Sequence, residues 1–228
     1  MNAVRTMERI KKEKVIAIVR GVTSEDIIET AKALLRGGIS NMEITFTHNT
    51  PAGINETLES ICSVKDFFGD EINLGAGSIL SVQEVELASK AGADYMISPN
   101  TDPRVITKTK ELGRISIPGA LTPSEICCAY ENGGDMVKLF PAGALGLEYV
   151  NALMAPLNHI PVCAVGGIYP ENIRGFLKAG VQCFGIGGNL VSIESVRKKD
   201  FLELTRTAIQ YRQMIDDELL HDCQRNKS

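Results

Sequence analysis

The sequence predicts a closed (β/α)8 barrel with a short N-terminal helix, residues 1–228 forming one domain. Three observations carry this reading. Short apolar runs of strand length alternate with longer helical segments, the pattern of a parallel sheet covered by helices. The strand–helix unit recurs about eight times, the number that closes such a sheet on itself. No linker, low-complexity tract or change of composition interrupts the series. An open doubly wound sheet is the alternative arrangement.

The elements follow in order. Residues 1–14 read as a short amphipathic helix outside the repeating pattern. Val15–Val19 is a continuous apolar run, as in strands buried on both faces. Ser24 is placed to cap a helix with Glu25 and Asp26 in its first turn; it ends at Gly37-Gly38. A strand over Asn41–Thr45 and a helix over Pro51–Phe68 come next. Residues 72–74 form a strand leading into Gly75-Ala76-Gly77-Ser78, and the helix 82–90 closes at Gly92. Residues 94–97 are a strand; Asp102-Pro103 then starts a helix, proline being tolerated at its first position. After Gly113 the strand 114–117 leads into Pro118-Gly119, and Thr122-Pro123-Ser124-Glu125 starts a helix ending at Gly133-Gly134. The strand around Lys138 is followed by a helix over 145–157. Residues 161–165 form a strand into Gly166-Gly167, Pro170–Lys178 a helix, and Cys183–Ile186 a strand into Gly187-Gly188. A long helix over 200–220 closes the chain.

Composition excludes several functions. With a net charge of −4 and no tryptophan there is neither a global electrostatic attraction to nucleic acid nor a base-stacking surface. The six cysteines form no C-x-x-C pair and read as reduced thiols of a cytoplasmic protein. The apolar run ending at Arg20 is too short for a secretory segment, and no stretch approaches the roughly 20 apolar residues of a membrane span.

The stretch 135–143 carries the chemistry. A strand has a side-chain period of two, so Val137 and Leu139 face one way and Met136, Lys138 and Phe140 the other. Burial disfavours an ammonium ion, and a neutral amine can condense with a ketone. The plain alternative is a lysine that reaches water or pairs with a carboxylate. The same parity puts Glu43 and Thr45 on the barrel's inner face, with Met42, Ile44 and Phe46 toward the helices. Glu43 is then a general acid/base beside Lys138, or half of a buried ion pair.

Barrel active sites lie at the C-terminal strand ends. Gly166-Gly167 and Gly187-Gly188 fall after the last two strands, where backbone N–H groups can hold an anion. Ser78 can bind a carboxylate or cap its helix, and Arg20 can hold an anionic group or form a surface ion pair. His48 lies in a polar loop and reads as solvated, while His159 and His221 carry no ligand spacing. No metal-binding cluster and no Ser–His–acid arrangement is present in the pattern, so neither metal nor cofactor is expected.

These segments, in this order, resemble the class I 2-keto-3-deoxy-6-phosphogluconate (KDPG) / 4-hydroxy-2-oxoglutarate (KHG) aldolases: 15–21, 42–45, 75–80, 97–99, 117–119, 137–142, 165–168 and 186–188. The resemblance implies a barrel, usually a homotrimer, that cleaves 2-keto-4-hydroxy acids to pyruvate and an aldehyde without metal. It makes Lys138 the Schiff-base lysine and Glu43 the general acid/base. Arg20 and Ser78 fall at the pyruvate end, Pro118 and Phe140 along the pocket, and Gly166, Gly167, Gly187 and Gly188 at the phosphate end. The loop 45–51 lacks the arginine usual in phosphogluconate-specific members, as do 6-phosphogalactonate aldolases, and Asn189 stands where a serine is common. The rival classes are a non-catalytic barrel binding phosphorylated sugar acids and a metal-independent isomerase or epimerase.

Overall fold

A computed structural model describes residues 2–48 and 51–225, without the side chains of residue 51 and of 221–225. The expectations for Asn49 and Thr50, for the Cys223 thiol, for His221 and for the tail beyond 225 fall outside these. The strands are β1 (Val15–Val19), β2 (Asn41–Thr45), β3 (Asn73–Gly77), β4 (Tyr95–Ile97), β5 (Ile115–Ile117), β6 (Gly119–Ala120), β7 (Val137–Leu139), β8 (Val162–Val165) and β9 (Cys183–Ile186). The helices are α1 (Ala3–Glu13), α2 (Ile27–Arg36), α3 (Pro51–Phe68), α4 (Val82–Ala91) and α5 (Pro103–Glu111), followed by α6 (Pro123–Glu131), α7 (Ala142–Leu157), α8 (Pro170–Lys178), α9 (Ile193–Arg197) and α10 (Phe201–Arg225).

The strands form one parallel sheet in the order β5-β4-β3-β2-β1-β9-β8-β7-β6. Its two ends, β5 and β6, are separated only by Pro118, so the chain itself closes the circle and the fold is a (β/α)8 barrel. The fifth strand of the predicted repeat is therefore split. β5 pairs with β4, and β6 pairs with β7. Proline has no N–H to give a sheet, and the change of partner happens there. Pro118 keeps its acceptor role: its carbonyl takes the Lys138 N–H at 2.8 Å.

Side chains sort by parity into two apolar layers. Val15, Ala17, Met42, Ile44, Val137 and Leu139 join the layer between strands and helices. Ile16, Ile18, Tyr95, Ile117, Met136 and Cys163 fill the barrel's interior. The first helix is part of this second layer. Ile10 packs among the interior residues, so α1 closes the N-terminal end of the barrel and is integral to it.

Local departures from expectation have clear causes. β3 runs on through Gly75 and Gly77, whose lack of a Cβ admits the Tyr95 ring and the Glu43 carboxylate respectively. The cap of α2 is Asp26, not Ser24; residues 23–26 form a turn in which the Asp26 N–H reaches the Thr23 carbonyl at 3.1 Å. The segment after Lys138 turns into helix at Ala142, with a break at Gly146 (φ 77°, ψ 167°) before the longer part. The five-residue α9, preceded by Ser192, had no counterpart in the sequence reading. Among the described residues no helix is long and apolar enough to cross a membrane.

Candidate active site

Lys138 enters the interior because Val137 and Leu139, its neighbours on β7, are taken by the layer under the helices. Only 7% of it is exposed. Among the described residues its Nζ has no hydrogen-bond or ion-pair partner, and it lies 5.1 Å from the centroid of the Phe140 ring. Glu43, 1% exposed, reaches the same space from β2. Its Oε1 accepts a hydrogen bond from Thr45 Oγ1 at 3.1 Å, and its Oε2, also buried, has no partner among the described residues. No direct ion pair joins Lys138 to Glu43, so the buried-pair alternative raised from sequence is absent. Both groups face a cavity of about 380 Å³ at the C-terminal strand ends.

Burial holds the Glu43 carboxyl above its ordinary value of 4.5, against the opposing pull of the Lys138 charge, the Thr45 hydrogen bond and the Arg20 charge. Tyr95 lies deeper, its ring laid over Gly75 and its hydroxyl buried without a partner. Burial, and then the charge on Glu43, push that phenol well above 10. Cys163, level with Lys138 across the β7–β8 pairing, has its thiol pushed up by its hydrogen bond with Cys183 and by burial. Five cysteines, 62, 127, 128, 163 and 183, are free thiols.

The rim assembles most of the residues singled out from sequence. Arg20 Nη2 lies 3.3 Å from Ser78 Oγ, and both line the cavity. Ser78 takes a left-handed φ of 58° and does not cap α4. That task falls to Ser81, which forms a reciprocal capping box with Glu84. Phe140, Gly166, Gly167, Gly187, Gly188 and Asn189 line the remaining wall. Gly166 and Gly167 have φ of 85° and 70°. Gly167 also leaves no room for a side chain on Gly143, whose N–H donates to the Gly166 carbonyl at 2.7 Å.

One candidate is not brought in. Pro118 was expected along the pocket, but parity turns its ring away from the interior. A side chain at Gly134 would come within 2.9 Å of it, and only the Pro118 carbonyl serves the site, by holding the Lys138 backbone. His48 is spent on Glu84, 3.0 Å away, and does not line the cavity. Pro99, in the strand-end segment 97–99, also lines it, and so does Tyr169, which was missed. Tyr169 sits just before α8, a place that reads as a helix start; only the closing of the barrel brings it over the mouth. Asn189 Nδ2 donates to the Ile168 carbonyl at 3.0 Å and ties the last two strand-end loops together. Among the described residues no group of three or more histidine, cysteine, aspartate or glutamate side chains is placed to hold a metal ion.

An amine without a partner and a carboxyl group held above its usual range, facing one cavity in the mouth of a parallel barrel, are what a lyase working through an imine requires. Comparison with known proteins narrows this class. The KDPG and KHG aldolase family model matches residues 6–207, and the chain belongs to that family. It is 32% identical over 202 residues to the 2-dehydro-3-deoxy-6-phosphogalactonate aldolase of Escherichia coli (strain K12), covering 86% of this chain and 96% of that one. It is likewise 32% identical over 210 residues to the 2-dehydro-3-deoxy-phosphogluconate aldolase of Treponema pallidum (strain Nichols), covering 91% and 96%. Among solved structures, the KDPG aldolase of Legionella pneumophila, with pyruvate captured as a covalent carbinolamine intermediate, superimposes with a TM-score of 0.79 at 25% identity. That match covers 90% of this chain and 96% of the other.

Proposed function

We propose that this chain is a Schiff-base aldolase that reversibly cleaves a 2-keto-4-hydroxy acid to pyruvate and an aldehyde. The substrate is 2-dehydro-3-deoxy-6-phosphogluconate, 4-hydroxy-2-oxoglutarate or both, and the aldehyde is glyceraldehyde 3-phosphate or glyoxylate. The observation that carries this is the unpartnered Lys138 amine sharing a cavity with the half-free Glu43 carboxylate.

The lone pair of the Lys138 amine attacks the C2 ketone, and loss of water leaves an iminium, an electron sink for breaking the C3–C4 bond. The face of the Phe140 ring lies beside that developing cation. Glu43 takes the C4 hydroxyl proton, directly or through a water, and the aldehyde departs. The enamine left behind is protonated at C3 by the same carboxyl group, and water releases pyruvate. Arg20 and Ser78 face the substrate carboxylate, and the N–H groups around the two glycine pairs face a distal phosphate. The iminium supplies the electron withdrawal that a metal supplies in other aldolases.

A second substrate reading has its own support. The loop after β2 carries no arginine, and the E. coli relative acts on the galactonate epimer. A panel of both epimers and of 4-hydroxy-2-oxoglutarate, coupled to pyruvate detection, ranks them. Residues 1–228 act as one barrel domain in the cytoplasm, in keeping with the free thiols. The homotrimeric state has its support in exposed Leu121, Phe140 and Leu147, apolar side chains that a neighbouring copy would cover; light scattering tests it.

Borohydride with pyruvate should add a stable mass to the wild-type chain and none to Lys138→Ala. Absence of the adduct in wild type removes the aldolase reading. Pyruvate release under chelation separates it from an isomerase and from a mere binding barrel.

A further inference from the structure

We propose that Thr45 is a positioning residue: it anchors Oε1 of Glu43 so that Oε2 alone faces the substrate. This rests on the aldolase reading above and assigns the division of labour within its carboxyl group.

The two oxygens of Glu43 have different surroundings. Oε1 accepts the Thr45 hydroxyl at 3.1 Å. On its other side stands Gly77, the register partner of Thr45 across β2 and β3, where a Cβ would collide with Oε1. Oε1 is therefore held between a hydroxyl donor and a bare backbone carbon. Oε2 is buried with no partner among the described residues. An unsatisfied buried carboxylate oxygen is costly and calls for a reason. Here it is the oxygen left for a substrate hydroxyl.

Thr45 suits the task on sequence grounds. It lies two residues after Glu43 on the same strand, so both side chains project to the same face. Its β-branch restricts χ1, which holds the hydroxyl on its acceptor. At 3% exposure it cannot readily exchange Glu43 for water. Without the hydroxyl the carboxyl would be free to turn, and the proton it carries would be shared between a useful oxygen and one pressed on Gly77.

Other groups also act on Glu43: Lys138 from β7, Arg20 after β1, Tyr95 from β4 and Cys163 from β8. All remain in a Thr45 variant, so a change in titration belongs to the lost hydroxyl. Its loss withdraws a hydrogen bond from the ionised form, and the carboxyl then titrates higher.

The test compares wild type, Thr45→Val, which keeps the shape and loses the hydroxyl, and Thr45→Ser, which keeps the hydroxyl. Borohydride trapping of pyruvate should be unchanged in all three, because Lys138 is untouched. For Thr45→Val, kcat for cleavage should fall about 10–100-fold, the usual worth of a hydrogen bond to a charged group. The acidic limb of its kcat–pH profile should move to higher pH, and Thr45→Ser should recover most of both. The carbon-13 titration of the Glu43 carboxyl in the substrate-free protein should move the same way, independently of turnover. Normal trapping with an unmoved acidic limb, or Thr45→Ser as impaired as Thr45→Val, overturns the proposal alone. Failure of the wild type to trap pyruvate overturns the aldolase reading and this role with it.

Discussion

The two ends of the barrel handle charge in opposite ways. At the N-terminal end, the Glu13 carboxylate accepts the backbone N–H groups of Ser40 and Asn41 at 2.9 and 3.2 Å, the Asn41 amide at 2.9 Å and the Ser40 hydroxyl. Arg9 spends its guanidinium on the Asp70 and Glu71 carbonyls and the Ser40 hydroxyl. These bonds pin α1 under the sheet and close that end. At the C-terminal end, Lys138 Nζ and Glu43 Oε2 have no partner among the described residues. Satisfied charges hold the fold together, and the open ones are available for chemistry. The barrel bears the cost of the second set because the first set and the apolar layers stabilise it.

Substitutions at either end can break or sharpen that contrast. The largest effect is expected at the mouth: Lys138→Met should lower cleavage by at least about 10⁴-fold while the chain stays folded, read from pyruvate release and circular dichroism. Gly77→Ala should displace the Glu43 carboxylate. It should cost about 10²-fold in kcat and leave borohydride trapping of pyruvate intact. Glu13→Ala should do the reverse, losing about 2 kcal/mol in urea unfolding with kcat retained, because it strands the donors of Ser40 and Asn41. A large activity loss in Glu13→Ala would erase the distinction between the ends.

The smallest effect concerns Glu43→Gln and stability. Burial holds the folded carboxyl above its ordinary value of 4.5. Below that value the group is protonated in both folded and unfolded chains and carries no penalty. As pH rises through the folded titration, ionisation inside the barrel subtracts stability. Glu43→Gln should therefore raise Tm by a few degrees at neutral pH, with the gain fading in acid. Calorimetry at two pH values checks the sign, and a gain that grew in acid would contradict it.

Much of this was legible in the chain. The alternation of apolar runs and capped helices predicted the barrel, and a period of two predicted that Val137 and Leu139 would face the helices and Met136 the interior. Where the sequence misled, the cause was tertiary. Gly75 and Gly77 look like a turn; they are strand residues whose missing Cβ atoms make room for Tyr95 and Glu43. Pro118 followed the strand 114–117 and so looked like a pocket residue. Its ring faces outward, and its effect reaches the site through one carbonyl. Ser78 was offered as a possible helix cap; its positive φ takes it out of that role, and Ser81 caps α4 instead. Thr45 Oγ1 had a predictable direction but no predictable partner. Tyr169 reaches the mouth because of where the seventh and eighth strand ends meet, information held in no local pattern.

The wall beside Arg20, at the ends of β8 and β9, is built largely of bare main chain: Gly166, Gly167, Gly187 and Gly188. Such a surface offers little for drift to edit, because a new side chain at Gly166 or Gly167 would also have to survive a left-handed backbone. If the proposed aldolase reading holds, divergence in which aldehyde half fits would proceed through the flanking Tyr169 and Asn189. An inherited breaking step and an adjustable leaving fragment can thus evolve at different speeds within one small bowl.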